Sequence, residues 1–360
     1  MTIFERHPKD HLGKWFEQRS KLGVSDAIYW GRYKPDSDRL TMYEFHHAFG
    51  DGMSTMKKML VDAGHHDVVI PVCREASLPT REQLKKIKES VQPYPKKVKW
   101  LFWHADNKVS QSTLNSLLLN KEETNIIQQR AKSLGVPVTT LALWALNRSA
   151  AKHLLEPAQE YSWFYPVNLR GVVDYNTDYA NYSSGFYLPL NGEISIQGLN
   201  ERIRKKLKSG EHWLNWQQAN ISRYLPGIVI RWLYTFMSKR QFYAGNFSAM
   251  GDWFNDTESA PVQCETASPQ CKSKSQDDLS KERWICFAPG TKNYPISSSM
   301  ITWHGQLTLN LKLHPSIVKN KDIALETLCG WGENLLDAGC IGLEDAKKQK
   351  KIVSYTYSEL

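Results

Sequence analysis

The run His46-His47-Ala48-Phe49-Gly50-Asp51-Gly52 constrains this chain more than any other stretch. It ends an apolar, strand-like segment, Leu40 to Phe45, and leads into Met53 to Ala63, which reads as a helix with Met53, Met56, Leu60 and Ala63 on one face. A neutral imidazole is the side chain best poised to take a proton from an alcohol or amine near pH 7. A carboxylate four residues on can hold the turn in shape, and the glycine beside it leaves room for a substrate. The same residues also fit an ordinary exposed turn, because Asp-Gly is a common turn dipeptide. His65-His66-Asp67 is read in that plainer way, as a helix-to-strand turn.

The spacing resembles the HHxxxDG signature of the chloramphenicol acetyltransferase-like superfamily. That group includes nonribosomal-peptide condensation domains, plant BAHD acyltransferases and wax ester synthase/diacylglycerol acyltransferases. Later segments follow in the family's order. Gly135-Val136-Pro137-Val138-Thr139-Thr140 matches a turn between two helices of condensation-type enzymes. Pro166-Val167-Asn168-Leu169-Arg170 resembles a strand end of wax-ester-synthase-like members. Asn181-Tyr182-Ser183-Ser184-Gly185 resembles a "GN" segment, with Ala180 where glycine is usual. Met300 to Leu311, read as a double strand bent at Gly305, resembles strands near the family's C-terminus. Two departures stand out. Only 45 residues precede the histidines, where relatives carry over a hundred. In Gly245 to Trp253, Ala249 stands where relatives have an asparagine.

The resemblance implies an α/β (α+β) fold, a two-lobed chloramphenicol acetyltransferase-like sandwich with mixed sheets and the active site in a channel between lobes, the first lobe shortened. It implies His47 as general base and Asp51 as structural acid, with His46 and Gly52 supporting the loop. Arg170 would pair with Asp51 across the lobe boundary, which its planar fork suits; a lone arginine at a strand end is otherwise a surface ion pair of little worth. Asn181, Ser248 and Gly251 would border the channel or the oxyanion, with Ser248 or backbone N–H groups as donors in place of the missing amide. His304 is read as a packing or surface residue.

With 360 residues the chain suits two lobes or one large unit. We expect a first lobe over 1–92 carrying the histidines and a second over 93–360, joined at Pro93-Tyr94-Pro95, with a polar, mobile loop over 255–283. Six cysteines with no CxxC pair exclude a disulfide scaffold and a zinc site, so no metal is expected. No apolar run spans a bilayer and the N-terminus is not a signal peptide, which points to the cytoplasm. The net charge of +9, clustered at Lys85-Lys86, Lys96 to Lys99, Arg202 to Lys208 and Lys347 to Lys351, comes without a nucleic-acid motif. It fits solvated faces, or a field favouring coenzyme A phosphates, an acidic carrier protein or anionic lipid.

Strands are expected at Asp26 to Tyr33, Val98 to His104, Trp163 to Leu169 and Phe186 to Leu190, and helices at His11 to Leu22, from Thr80, at Lys121 to Leu134 and at Thr139 to Leu154. Tyr224 to Met237, followed by Lys239 and Arg240, is short, strongly apolar and flanked by basic residues. Two readings stay open for it: a buried helix of the second lobe, or a helix that guides an acyl chain or touches a membrane surface. The expected activity is acyl transfer from a thioester, acyl-CoA or the phosphopantetheine arm of an acyl-carrier protein, to a hydroxyl or amine acceptor, with no permanently bound cofactor and no nucleic acid. The alternative is a catalytically silent member that binds a carrier protein or acyl ligand.

Overall fold

A computed structural model of the chain describes residues 6–63, 68–70, 72, 78–90, 97–104, 111–239, 242–253, 281–320, 322–337, 346, 348, 349 and 351–358. His65-His66-Asp67, Pro93-Tyr94-Pro95, Cys73, Cys264, Cys271, Cys340 and nearly all of the 255–283 segment lie outside these residues.

Strands β1 (Ala27–Lys34) and β2 (Arg39–His46) form an antiparallel hairpin around Pro35–Ser37, as the turn residues between them predict. Helix α1 (His11–Ser20) precedes them. Helix α2 (Gly52–Asp62) follows the histidine turn, and α3 (Arg81–Ser90) opens behind Thr80, whose backbone and hydroxyl exchange bonds with Gln83.

The remaining strands are β3 (Gln111–Leu118), β4 (Tyr161–Asn168), β5 (Ser183–Leu190), β6 (Gly245–Trp253), β7 (Arg283–Phe287), β8 (Ile296–Trp303), β9 (Gln306–Leu313) and β10 (Ile352–Ser358). They make two sheets. The small one runs β2-β1-β7 and the large one β10-β3-β9-β8-β6-β4-β5. The large sheet is mixed, because β6 lies parallel to both β4 and β8 while its other pairs are antiparallel. Helices α4 (Lys121–Ser133), α5 (Val138–His153), α6 (Ile196–Ser209), α7 (His212–Ile221), α8 (Gly227–Ser238) and α9 (Ile323–Leu336) complete the order. Helices α5 and α9 pack together over the main core: Trp331 donates to the Ala142 carbonyl at 2.9 Å and Ser149 to the Thr327 carbonyl at 2.7 Å.

Serines in the middle of a buried strand look misplaced, yet β8 carries Ser297, Ser298 and Ser299 fully buried. Each hydroxyl finds a carbonyl. Ser298 donates to Asn246 of β6 at 2.6 Å, Ser297 to Ala288 at 2.7 Å, and Ser299 to Cys286 of β7. A buried hydroxyl left without a partner would cost about 1–3 kcal/mol, so these bonds fix the strand's position. Two of them reach β7 and the residue after it, which seats the histidine-bearing small sheet on the large one. Strand β7 comes from the second part of the chain, so both parts build the small sheet.

One expectation about the strands changes. Val98 to His104 is not a strand; Trp100 alone bridges to Leu155, and the aromatic residues meet one another, Trp100 with Trp103 and Phe102 with His104. The strand is instead β3, with β10 on one side and β9 on the other. Its Asn115 and Ser116 are buried because Ser354 and Asn310 pair with them across the sheet at 2.7 and 2.8 Å. Hydropathy along the chain does not register such lateral partners.

Candidate active site

The histidine turn is built from both sides. His46 closes it locally, its Nδ1 accepting from the Ala48 N–H at 3.0 Å, while its ring meets Phe49 edge-on. His47 binds its own N–H to the Asp26 carbonyl at 3.1 Å, and its ring stacks on Phe16 of α1 with centroids 4.0 Å apart. Its carbonyl accepts from the Asn181 amide at 2.9 Å. That amide also donates to Asp10, at 2.8 Å, and Asp10 accepts from the Asn181 backbone and from Gly13 as the N-cap of α1. Asp10 is fully buried, and burial raises its pKa against those bonds.

Asp51 caps α2, which explains why the helix starts at Gly52. Its carboxylate has four donors. Oδ1 accepts from Ser54 N–H at 3.0 Å and Arg170 at 2.7 Å; Oδ2 accepts from Arg170 at 2.9 Å and the Tyr182 N–H at 2.9 Å. Both Asp51 and Arg170 are buried, and the pair expected from the sequence is present and bidentate. Burial pushes Asp51 toward protonation, but the Arg170 charge and the donors outweigh it and hold the carboxyl below its ordinary range. Arg170 also donates to the Ser54 hydroxyl at 2.7 Å and lies 4.5 Å over the Tyr182 ring. Gly52 has a separate reason: a Cβ there would lie 2.6 Å from the Met250 methyl, so its absence lets the turn press against β6.

A cavity of about 670 Å³ opens on this turn. His47, Asp51, Gly52 and Arg170 line it on one side. Tyr165, Tyr187, Tyr243 and Tyr294 line it elsewhere, and so do Ser248, Ala249 and Met250 of β6 and Leu233, Tyr234 and Met237 of α8. Burial is the main cause that pushes the His47 pKa down to about 4, so the ring is neutral at pH 7. Nδ1 is buried, and the residue's own carbonyl and the Asn181 side chain are polar groups that partly oppose the shift. Nε2 is therefore the nitrogen that a molecule in the cavity can meet.

Of the residues the sequence singled out, His46, His47, Asp51, Gly52, Arg170 and Asn181 come together. Ser248 lines the cavity. Asn181 does not; it holds the histidine turn from behind. Gly251 is not a lining residue either. It sits at φ +87° where the register of β6 against β8 slips between Ala249 and Asp252, a bulge that takes backbone groups out of the ladder. Asp10, Phe16, Ser54 and Tyr182 were missed. Asp10 did carry a signal, since an aspartate just ahead of a helix is an N-cap candidate.

A second buried pair lies in the cavity wall. Arg19 of α1 meets Asp26 at 2.9 Å and lies 4.8 Å over the Tyr234 ring. Burial raises Asp26 to about 6, with Arg19 opposing. Among the described residues no group of three or more His, Cys, Asp or Glu could hold a metal ion, and no helix is long and apolar enough to cross a membrane.

No family model and no curated protein sequence matches the chain. Among solved structures it is similar to the epimerization domain from the third module of tyrocidine synthetase B. Identity is 14%, with 86% of this chain and 70% of that one covered and a TM-score of 0.51. It is also similar to the nonribosomal peptide synthetase FmoA3 bound to α-methyl-L-serine-AMP, at 14% identity and a TM-score of 0.51. There the match covers 84% of this chain and 33% of that one. These likenesses show the fold: mixed α/β with two sheets.

Proposed function

We propose that the chain is an acyltransferase that moves an acyl group from a thioester to a hydroxyl or amine, with His47 Nε2 as general base. One observation carries this reading: the second histidine of the turn lines a large aromatic cavity, is kept neutral by burial, and has its Nδ1 buried, which leaves Nε2 for the acceptor. The acceptor's proton goes to Nε2 as its oxygen or nitrogen attacks the thioester carbonyl. Ser248 or backbone N–H groups at the β6 bulge meet the tetrahedral oxyanion, and the thiolate leaves with the proton returned. Asp51 touches no substrate in this scheme; with Arg170 it holds the turn. No covalent enzyme intermediate is needed.

The thioester would be carried by coenzyme A or by the phosphopantetheine arm of a carrier protein, and the basic surface suits either. Residues 1–92 would form the lobe bearing the histidines and 93–360 the lobe bearing Arg170, with β7 returning to the first lobe's sheet. The test is thiol release from a panel of acyl-CoAs and acyl-carrier proteins with alcohol and amine acceptors. Release that needs an acceptor and is lost in His47→Ala supports the reading. Release unchanged in His47→Ala overturns it. Binding of acyl carriers with no turnover by the unaltered protein would instead favour the silent alternative.

A further inference from the structure

We infer that the outer face of α8 and the turn before it is a docking surface for an anionic lipid bilayer. Ile228, Trp232 and Phe236 recur every fourth residue, so they share one face of the helix. They are 68%, 65% and 45% exposed, and Tyr224 in the turn before the helix is 71% exposed. The buried-helix reading of this segment is thereby set aside. Large apolar side chains gathered on one surface mark a site of contact, whereas scattered ones do not. Trp232 and Phe236 stack on each other with centroids 6.0 Å apart, which presents a flat aromatic edge outward.

Charge selects the partner. From His212 to Gly251 the chain carries no Asp or Glu, while Arg223, Arg231, Lys239 and Arg240 fall within it. Arg223 and Lys239 are exposed at the two ends of the stripe. An apolar face rimmed by cations is the pattern of a helix that lies in the bilayer interface. An acidic carrier protein would also suit the charge, but the apolar surface continues inward. Leu225, Leu233 and Met237, on the same segment, line the cavity that contains His47. Outer stripe and inner wall thus share one short helix, which a lipid acyl chain leaving a membrane would use and a water-soluble carrier would not.

The surface stands apart from the chemistry at His47, and the test keeps them apart. The full chain is floated with phosphatidylcholine vesicles with and without phosphatidylglycerol. Binding is expected to the anionic vesicles and to weaken as salt rises. Ile228→Ser/Trp232→Ser/Phe236→Ser together should lower partitioning at least about tenfold, from the apolar area withheld from the membrane. Arg223→Glu/Lys239→Glu, which leaves the apolar face intact, should also lower it. His47→Ala should bind as the unaltered protein does. Absence of binding by the unaltered protein, or binding that the triple variant keeps, overturns the inference. So does a dimer in solution that the triple variant dissociates without lipid, since the stripe would then be a self-association face.

Discussion

The cavity has two walls of opposite construction. The histidine turn is held by an unbroken set of buried polar contacts: Asp10 to Asn181, Asn181 to the His47 carbonyl, and Asp51 to Arg170, Ser54 and Tyr182. Helix α8 faces the cavity with apolar side chains, Leu233 and Met237 among them, and has fewer polar ties, Arg231 donating to Gln18 and Asn293 to the Ser238 carbonyl. Directional bonds fix a side chain within the tolerance that proton transfer needs. Apolar contact is non-directional, so it lets a wall fit chains of differing shape. The proposed chemistry thus falls on the wall held by directional bonds, and the breadth of the cavity on the other.

The contrast breaks most visibly at His47. His47→Ala should lower kcat/KM by about 10²- to 10⁴-fold, the usual cost of losing a general base, while the protein keeps one cooperative unfolding transition. His46→Ala should cost less, because it closes the turn without facing the acceptor. Equal losses in the two variants would mean that the turn's shape matters and no proton passes through Nε2.

Next comes the carboxylate clamp. Arg170→Leu leaves Asp51 a buried charge with no counter-ion, and Asp51→Ala does the same to Arg170. Each should cost roughly 3–5 kcal/mol of stability in urea unfolding. The double variant should cost less than the sum, since neither charge is then stranded. Additive losses would show that the two groups act separately, and the turn would not be held across the sheets in the way the distances indicate.

Much of the rigid wall was legible beforehand because its key residues are close in sequence or fall in recognisable short segments. The strand, histidines, Asp51 cap and helix follow one another within Leu40 to Ala63, and Arg170 closes a strand end with a readable pattern. The rest depends on partners far away in the chain. Asp10 gains its role from Asn181, 171 positions on. Strand β3 looks polar until Asn310 and Ser354 are placed beside it. For α8 the periodicity is the same whether the stripe at 228, 232 and 236 is covered or bare; only the positions of its neighbours decide.

The pH response probes two buried groups in the cavity wall, His47 and Asp26. His47 stays neutral to about pH 4, so kcat/KM should remain level from pH 8 down past 6.5, where an ordinary imidazole would be half charged. For stability the signs are opposite. His47 is depressed below 6.5, so its contribution is present above pH 6.5 and is lost as pH falls through about 4. Asp26 is raised from 3.8 to about 6, so its contribution is present below 3.8 and is lost as pH rises through about 6. Between those limits the two partly cancel. Asp26→Asn should therefore steepen the loss of stability between pH 6.5 and 4 in urea titrations. An unchanged slope would mean that Asp26 ionises as an ordinary surface carboxyl does.

The smallest effect is expected where the molecule looks most hydrophobic. Trp232 and Phe236 are large, but about half or more of each already lies in water, so folding gains little from them. Truncating an exposed side chain away from caps and buried bonds changes stability by no more than about 0.5 kcal/mol. Trp232→Ser/Phe236→Ser should thus leave the urea midpoint nearly where it was, in contrast to the several kcal/mol lost at Asp51 or Arg170. Serine in these places should even help solubility, because it shrinks an exposed apolar patch. A loss of 2 kcal/mol or more would show that the outer face of α8 is covered in the folded monomer. The two walls would then be equally rigid, and the contrast between them would fail.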